Sequence, residues 1–403
     1  MIRLANSPRH YQWGSTTGIS DLLGTRPSGR PEAELWFGTH GASPTWLVDH
    51  TDGYATLNEY VYANPRATVA HGDTVPFLLK VLAAGEPLSL QAHPSSEQAR
   101  AGFARENAAG LSFNDSRRNY RDDQPKPELI VAVSEQFVAL SGFRPLNTTL
   151  RLFDEIAQLS ASSVLAGFID NLRSSASQGT KAALEWALDF SLRMTDTAAP
   201  CVVELVELTS KPRLDENEIA LTVRDLAKFH PRDSGVLVAA LLNRVVLARG
   251  EALYLPAGNI HAYVRGVGIE LMNASDNVLR GGLTVKNVDV DELTHVADFT
   301  ELVEPRLAPS KTAPGLTLFA PDDASFRLSW YQGSENSDQK SVPLEINNCA
   351  ILLCTAGALT VTSAVASLAV RRGEAVFISV NESDVTINGS GEAFIATAST
   401  PGK

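Results

Sequence analysis

The sequence predicts a mainly β protein: two related β-barrels, with a helical domain inserted into the first. Three observations predict this. Residues 1 to about 145 are rich in Pro, Gly and short β-favouring runs, punctuated by turn signals such as SPRH, GTRPSGRP and ANPR. From 147 to 245 apolar residues recur at helical spacing instead. Finally, Gly250-Glu251-Ala252-Leu253-Tyr254-Leu255 resembles Gly373-Glu374-Ala375-Val376-Phe377-Ile378, which reads as one β plan used twice.

Each element follows from local chemistry. Glu32 to Gly38, Pro76 to Leu82 and Leu88 to His93 read as strands, the last stopped by Pro94. Ser95 to Glu106 reads as a helix with Ser95 or Ser96 as its N-cap. After Pro145, Leu150, Phe153, Ile156 and Leu159 form an apolar stripe, and Asn147 or Thr148 can cap that helix. Ala182 to Met194 and Ile219 to Phe229 repeat the pattern, and Asp233 can cap a further helix through Leu242. β character returns at Arg249, and Pro305 to Pro314 reads as a linker. From about 316 to 400 short apolar runs separated by Gly, Asn and Asp predict a β-sandwich or jelly roll. The expected domains are therefore 1–146 together with 246–305, then 147–245, then 306–403.

A chain of 403 residues exceeds what one hydrophobic core serves, consistent with that division. A net charge of −12 argues against nucleic acid and acidic membrane surfaces as partners, while a small anion in a pocket stays possible. The three cysteines, Cys201, Cys349 and Cys354, form no CxxC pair and fit a reducing cytoplasm. MIRLANSPRHYQWG has no apolar leader core, and the apolar run from Val236 is broken by Asn243 and Arg244. A soluble cytoplasmic protein is the expectation. A monomer is compatible with the sequence, which sets no oligomeric state.

The richest stretch for chemistry runs from Leu255 to Lys286, LPAGNIHAYVRGVGIELMNASDNVLRGGLTVK. His261 and Glu270 each read either as functional groups or as a hydrogen-bonded loop His and a paired strand acid. Arg280, between apolar residues and two glycines, points to a guanidinium held near a pocket. Gln91 and His93 lie two apart in a predicted strand, so both face one side. They could share a cation, or be a polar pair at a strand end. In Lys126-Pro127-Glu128, Glu128 could be a carboxylate ligand and Lys126 could hold an anion; a solvated strand start is the plainer alternative.

Together these segments resemble the type I mannose-6-phosphate isomerases, zinc-dependent enzymes of the cupin superfamily. The resemblance spans nearly the whole chain and keeps motif order. His10-Tyr11-Gln12-Trp13-Gly14 and Ala33-Glu34-Leu35-Trp36-Phe37-Gly38-Thr39-His40 come first. Pro76-Phe77-Leu78-Leu79-Lys80-Val81-Leu82 and Pro87-Leu88-Ser89-Leu90-Gln91-Ala92-His93-Pro94 follow, then Lys126-Pro127-Glu128, Gly142-Phe143-Arg144-Pro145 and the 255–286 stretch.

The resemblance implies two cupin-like jelly-roll barrels plus a helical domain, the second barrel without a metal site. It implies one Zn²⁺ per chain, with ligands Gln91, His93, Glu128 and His261. It places Arg280, Glu270, Lys126 and Lys80 in catalysis and Ser89, Tyr263 and Trp13 at substrate. The implied reaction interconverts mannose 6-phosphate and fructose 6-phosphate through a cis-enediol, at the entry to GDP-mannose biosynthesis. The partner is thus a small sugar phosphate. One position departs from the pattern: Pro125 stands where the family usually has His before Lys-Pro-Glu. Either another group is the base, or activity is altered. Two alternatives follow, a cupin isomerase of another phosphosugar and a non-catalytic metal- or sugar-binding cupin.

Overall fold

The computed structural model describes all residues except 50, 71, 161–163, 335–340 and 400–403. The last two gaps fall within the region expected as a C-terminal jelly roll. The structure is β-rich, with several antiparallel sheets and a cluster of helices.

One strand, His261–Met272, organises the N-terminal sheet. Along its second half it pairs with Leu78–Ala84 on one side and Glu128–Ala132 on the other. Along its first half it pairs with Gln136–Phe143 and Gln91–Ala92. The change of partners falls at Gly266, whose φ of 122° suits glycine. A Cβ there would stand 2.8 Å from Phe137 Cα.

Strand alternation then sorts the side chains. Leu35, Phe37, Leu79, Val81, Ala83, Leu129, Val131, Ile269 and Leu271 share a core with Ile351, Phe377 and Phe394 of the C-terminal sheet. Their sequence neighbours Glu34, Lys80, Glu128 and Glu270 must therefore project from the opposite face. Ala262 and Val264 likewise turn into the core of the helical region, which leaves His261 and Tyr263 on the other side. Period two, applied to four strands, is what gathers the charged groups.

Most elements match expectation, with corrections at their ends. The strand expected over Leu88 to His93 is only Gln91–Ala92, because Pro94 has no amide with which to continue the ladder; Leu90, just before it, still exchanges backbone hydrogen bonds with Gly281 and Gly282. Neither Asn147 nor Thr148 caps its helix; Leu146–Ala157 begins one residue after Pro145, and Glu301 accepts a hydrogen bond from the Leu146 amide. Ser95 does cap Ser96–Ala108, in a reciprocal arrangement with Gln98. Two helices, Val164–Ala176 and Thr195–Thr209, add to those read from spacing.

The last helix of this region is Gly235–Ala240, and Leu242–Ala248 is a strand paired with Gln136–Phe143. Residues 242–245, expected within the helical stretch, are thus sheet. At the other end of the chain, Ile2–Ala5 pairs with Ala375–Ile378 and belongs to the C-terminal sheet. Sheet pairing is non-local, and nothing in a four-residue strand announces its distant partner.

The repeated Gly-Glu segment forms the same turn twice. Gly250 and Gly373 have φ of 88° and 86°. Glu251 Oε2 accepts from the Ala248 amide at 2.8 Å, and Glu374 Oε2 accepts from the Arg371 amide at 2.9 Å. No helix among the described residues is long and apolar enough to cross a membrane.

Candidate metal centre and substrate cavity

Glu128, first residue of its strand, sits between two imidazoles. His93 Nε2 lies 3.3 Å from Glu128 Oε1, and His261 Nε2 lies 3.3 Å from Glu128 Oε2. All three residues are buried. His93 Nδ1 donates to the Asn277 carbonyl at 2.7 Å, and His261 Nδ1 donates to the Asn259 carbonyl at 3.0 Å. A carbonyl can only accept, so each Nδ1 carries a hydrogen and each ring turns its Nε2 toward Glu128.

Burial, with the Lys126 ammonium nearby, pushes the pKa of His93 down to about 4, so the ring is neutral at pH 7. Burial alone would raise the Glu128 carboxyl. The Lys126 ammonium 2.8 Å from Oε1 overrides that and holds it well below the usual range. Three potential metal-ligand atoms face one another, and among the described residues His93 Nε2, His261 Nε2 and Glu128 Oε2 find no hydrogen-bond partner. Buried acceptors without donors cost about 1–3 kcal/mol each. A divalent cation among them removes that penalty, so the donor set fits zinc.

Gln91 is opposite both His261 and Arg280 in sheet register and lines the adjoining cavity. That cavity has a volume of about 880 Å³ and is also lined by Trp13, Lys80, Ser89, Lys126, Glu128, Tyr263, Glu270 and Arg280. The predicted catalytic and substrate residues thus share this cavity, and His93 and His261 adjoin it through Glu128.

Behind the metal ligands lies a buried chain of charge. Lys80 Nζ is 3.0 Å from Glu270 Oε2 and 3.5 Å from Glu34 Oε1. Burial favours the neutral amine, but the two carboxylates override it and hold the Lys80 pKa above the ordinary lysine value. Burial raises the Glu270 carboxyl, against the pull of Lys80 and with help from the Glu128 and Glu34 charges. Burial beside the same acids also raises the Tyr263 phenol. Lys126, expected as a possible anion holder, instead pairs with Glu128.

The cavity mouth is cationic. Burial and Arg121 lower the Arg280 pKa, and burial with Arg280 and Arg121 lowers that of Lys286. Among the described residues no carboxylate forms an ion pair with Arg121, Arg280 or Lys286. The Asp276 carboxylate also stands near Arg121, so three cations outnumber one counter-charge here, an excess that suits an anion. The helical region supplies part of the rim through Lys228, Phe229 and His230.

Glu34, Asn277, Arg121 and Lys286 were not singled out in the sequence. Glu34 was recoverable: in Glu34-Leu35-Trp36-Phe37 the alternation already sets Glu34 and Trp36 on the face opposite Leu35 and Phe37. Asn277 and Arg121 carry no such signal, since their roles depend on loops.

Residues 1–146 match the family described as phosphomannose isomerase type I, catalytic domain. The chain is similar to the mannose-6-phosphate isomerase of Escherichia coli (strain K12), 33% identical over 400 residues, covering 97% of this chain and 98% of the relative. It is also similar to a probable mannose-6-phosphate isomerase of Caenorhabditis elegans, 30% identical, covering 94% and 90% respectively. Among solved structures it resembles a mannose 6-phosphate isomerase bound with zinc and yttrium, with a TM-score of 0.86, 30% identity and 99% and 100% of the two chains covered. A second is the apo form from Salmonella typhimurium, with a TM-score of 0.87, 31% identity and 99% of each chain covered.

Proposed function

The chain belongs to the type I phosphomannose isomerase family, and from that premise we propose which of its residues divide the work of the reaction. It is a zinc-dependent aldose–ketose isomerase that interconverts mannose 6-phosphate and fructose 6-phosphate. Such a reaction moves a proton between C1 and C2 through a cis-enediol. It needs a base at that carbon, positive charge for the developing oxyanion, and a clamp for the phosphate.

His93, Glu128 and His261 hold the zinc, with Gln91 as the fourth ligand. Bound there, zinc supplies Lewis acidity toward a substrate oxygen, undiminished by the neutral Gln91. Glu270 moves the proton. Burial raises its pKa, which strengthens it as a base, and the Lys80 ammonium 3.0 Å away keeps it aimed. Glu270 thereby takes a role that Pro125 cannot fill. Arg280 faces the developing negative charge and forms no ion pair with a carboxylate among the described residues. Lys286 and Arg121 meet the phosphate at the cavity mouth, and Ser89, Tyr263 and Trp13 line the path of the sugar.

The domain reading stays as a proposal: 1–146 with 246–305 as the catalytic cupin unit, 147–245 as an insertion, and 306–403 as a second jelly roll without metal. The twin Gly-Glu turns support a common plan for the two β units. A cytoplasmic location fits the three free cysteines.

The observation that carries the reading is the convergence of three undonated buried acceptors beside the Lys80–Glu270 pair. A coupled assay on mannose 6-phosphate, with and without chelator and paired with metal analysis, tests it. Chelator-sensitive turnover on mannose 6-phosphate is the expected result. Full zinc occupancy without turnover would leave a binding protein, and turnover only on another sugar phosphate would reassign the substrate.

A further inference from the structure

Asn277 is fully buried, and its side-chain amide uses its whole hydrogen-bonding capacity on one loop. Nδ2 donates to the carbonyls of Asp122 and Gln124, each at 2.9 Å, with Asp122 Oδ1 at 3.2 Å. Oδ1 accepts from the amides of Arg121 at 2.7 Å and Asp122 at 3.2 Å. The 121–124 segment is neither helix nor strand, so these backbone groups have no ladder to join. Asn277 replaces the missing ladder. Neighbours lock the same loop: the Asp276 amide donates to Asp122 Oδ2 at 2.9 Å, and Ser275 Oγ to Asp122 Oδ1 at 2.8 Å.

This loop runs directly into Lys126 and Glu128, while the main-chain carbonyl of Asn277 receives the His93 Nδ1 hydrogen. One residue thus fixes the tautomer of one imidazole with its backbone and the approach of the carboxylate with its side chain. We propose that Asn277 is a positioning residue for the metal, coupling His93 to the Glu128 strand so that both present their lone pairs to the same point. This rests on the reading of His93, Glu128 and His261 as zinc ligands.

Partners that orient metal ligands typically carry 10- to 100-fold in metal affinity, roughly the loss expected here. Asn277→Asp is the sharpest variant. It keeps the shape and the acceptor but sets an oxygen against two carbonyls. Asn277→Ala removes the staple without adding repulsion. Zinc affinity is read on folded protein by competition with a chromogenic chelator, and thermal midpoints are taken with and without zinc. The expected result is zinc affinity weakened roughly 10- to 100-fold in both variants. A lowered midpoint with unchanged zinc affinity would assign Asn277 to stability alone and overturn the proposal.

A measurement on the wild-type protein covers the case in which neither variant folds. Removing zinc should speed hydrogen exchange at the Arg121 and Asp122 amides, and equal exchange with and without zinc would overturn the coupling. Wild-type protein that binds no zinc would instead defeat the ligand assignment itself.

Discussion

Lys80 and Glu270 face each other across adjacent antiparallel strands, in direct register, with Nζ and Oε2 3.0 Å apart and both side chains buried. A one-residue slip of either strand would bury two apolar side chains at the cavity and drive the charges into the core. The sheet that holds the fold together and the pair assigned to proton transfer are therefore specified by the same alternation. Removing Lys80 strips Glu270 of its buried counter-charge, whereas removing Glu270 leaves Lys80 the Glu34 carboxylate at 3.5 Å.

Glu270→Gln removes the proposed base while keeping a hydrogen-bond acceptor for Lys80. Turnover of mannose 6-phosphate should fall on the order of 10²- to 10⁴-fold with zinc content unchanged. Steady-state kinetics beside metal analysis checks this. Near-normal turnover would move the base elsewhere, with Lys126 and Lys80 the next candidates.

Glu34→Gln tests the electrostatic setting of that base. The Glu270 carboxyl is raised from its ordinary 4.5, and the Glu34 charge is one of the causes. A base works only when deprotonated, so turnover is lost as pH falls through the raised value. Removing the Glu34 charge lets Glu270 ionise more easily and should shift the acid limb of the kcat profile to lower pH. An acid limb that stays put or moves upward would contradict the assignment of Glu270 to that limb.

Arg280→Gln should reduce kcat about 10²- to 10³-fold, the range for removing a donor aimed at developing charge. Zinc content should hold, because Arg280 is opposite Gln91 in register but outside the His93–Glu128–His261 cluster. If the variant loses zinc yet turns over normally per bound metal, Arg280 has a metal-site role instead.

Asp225 ties the helical region to the sheet, with Oδ2 2.6 Å from Arg244 Nη2 and 2.5 Å from Arg265 Nη1. Burial opposes ionisation, but the two guanidiniums hold its pKa below the ordinary 3.8. A depressed carboxyl contributes stability that is present above the unfolded value and lost as pH falls through the folded one. Asp225→Asn should therefore cost about 1–3 kcal/mol at neutral pH, where Arg244 is left half-paired in a buried site. The deficit should shrink as pH falls below the ordinary 3.8 and through the depressed folded value, where wild-type Asp225 takes up its own proton. Denaturant titrations at neutral pH and at a series of pH values below the ordinary carboxylate range measure both, and a deficit independent of pH would assign the loss to packing.

Much of this protein was determined by sequence alone. The run Leu78-Leu79-Lys80-Val81-Leu82 is apolar on both faces except at one position, and period two then forces Lys80 out of the core on whichever side is polar. The same reasoning covers Glu270, Glu128 and the pair His261 and Tyr263, since each sits in a strand whose alternate residues are apolar. Helical spacing separated the 147–245 region, except its last residues 242–245, from the β parts for the equally local reason that backbone hydrogen bonds in helices close within a few residues.

Tertiary structure decided what depends on partners far along the chain. Ile2–Ala5 joins the C-terminal sheet, Leu242–Ala248 turns from helical surroundings into sheet, and Lys126 pairs with Glu128 rather than waiting for an anion. Asn277 gives the clearest case. Its sequence neighbours mark it only as a loop amide. Its place between His93 and the 121–124 backbone follows from two loops, more than 150 residues apart, whose unpaired carbonyls and amides had to be satisfied once they were buried together.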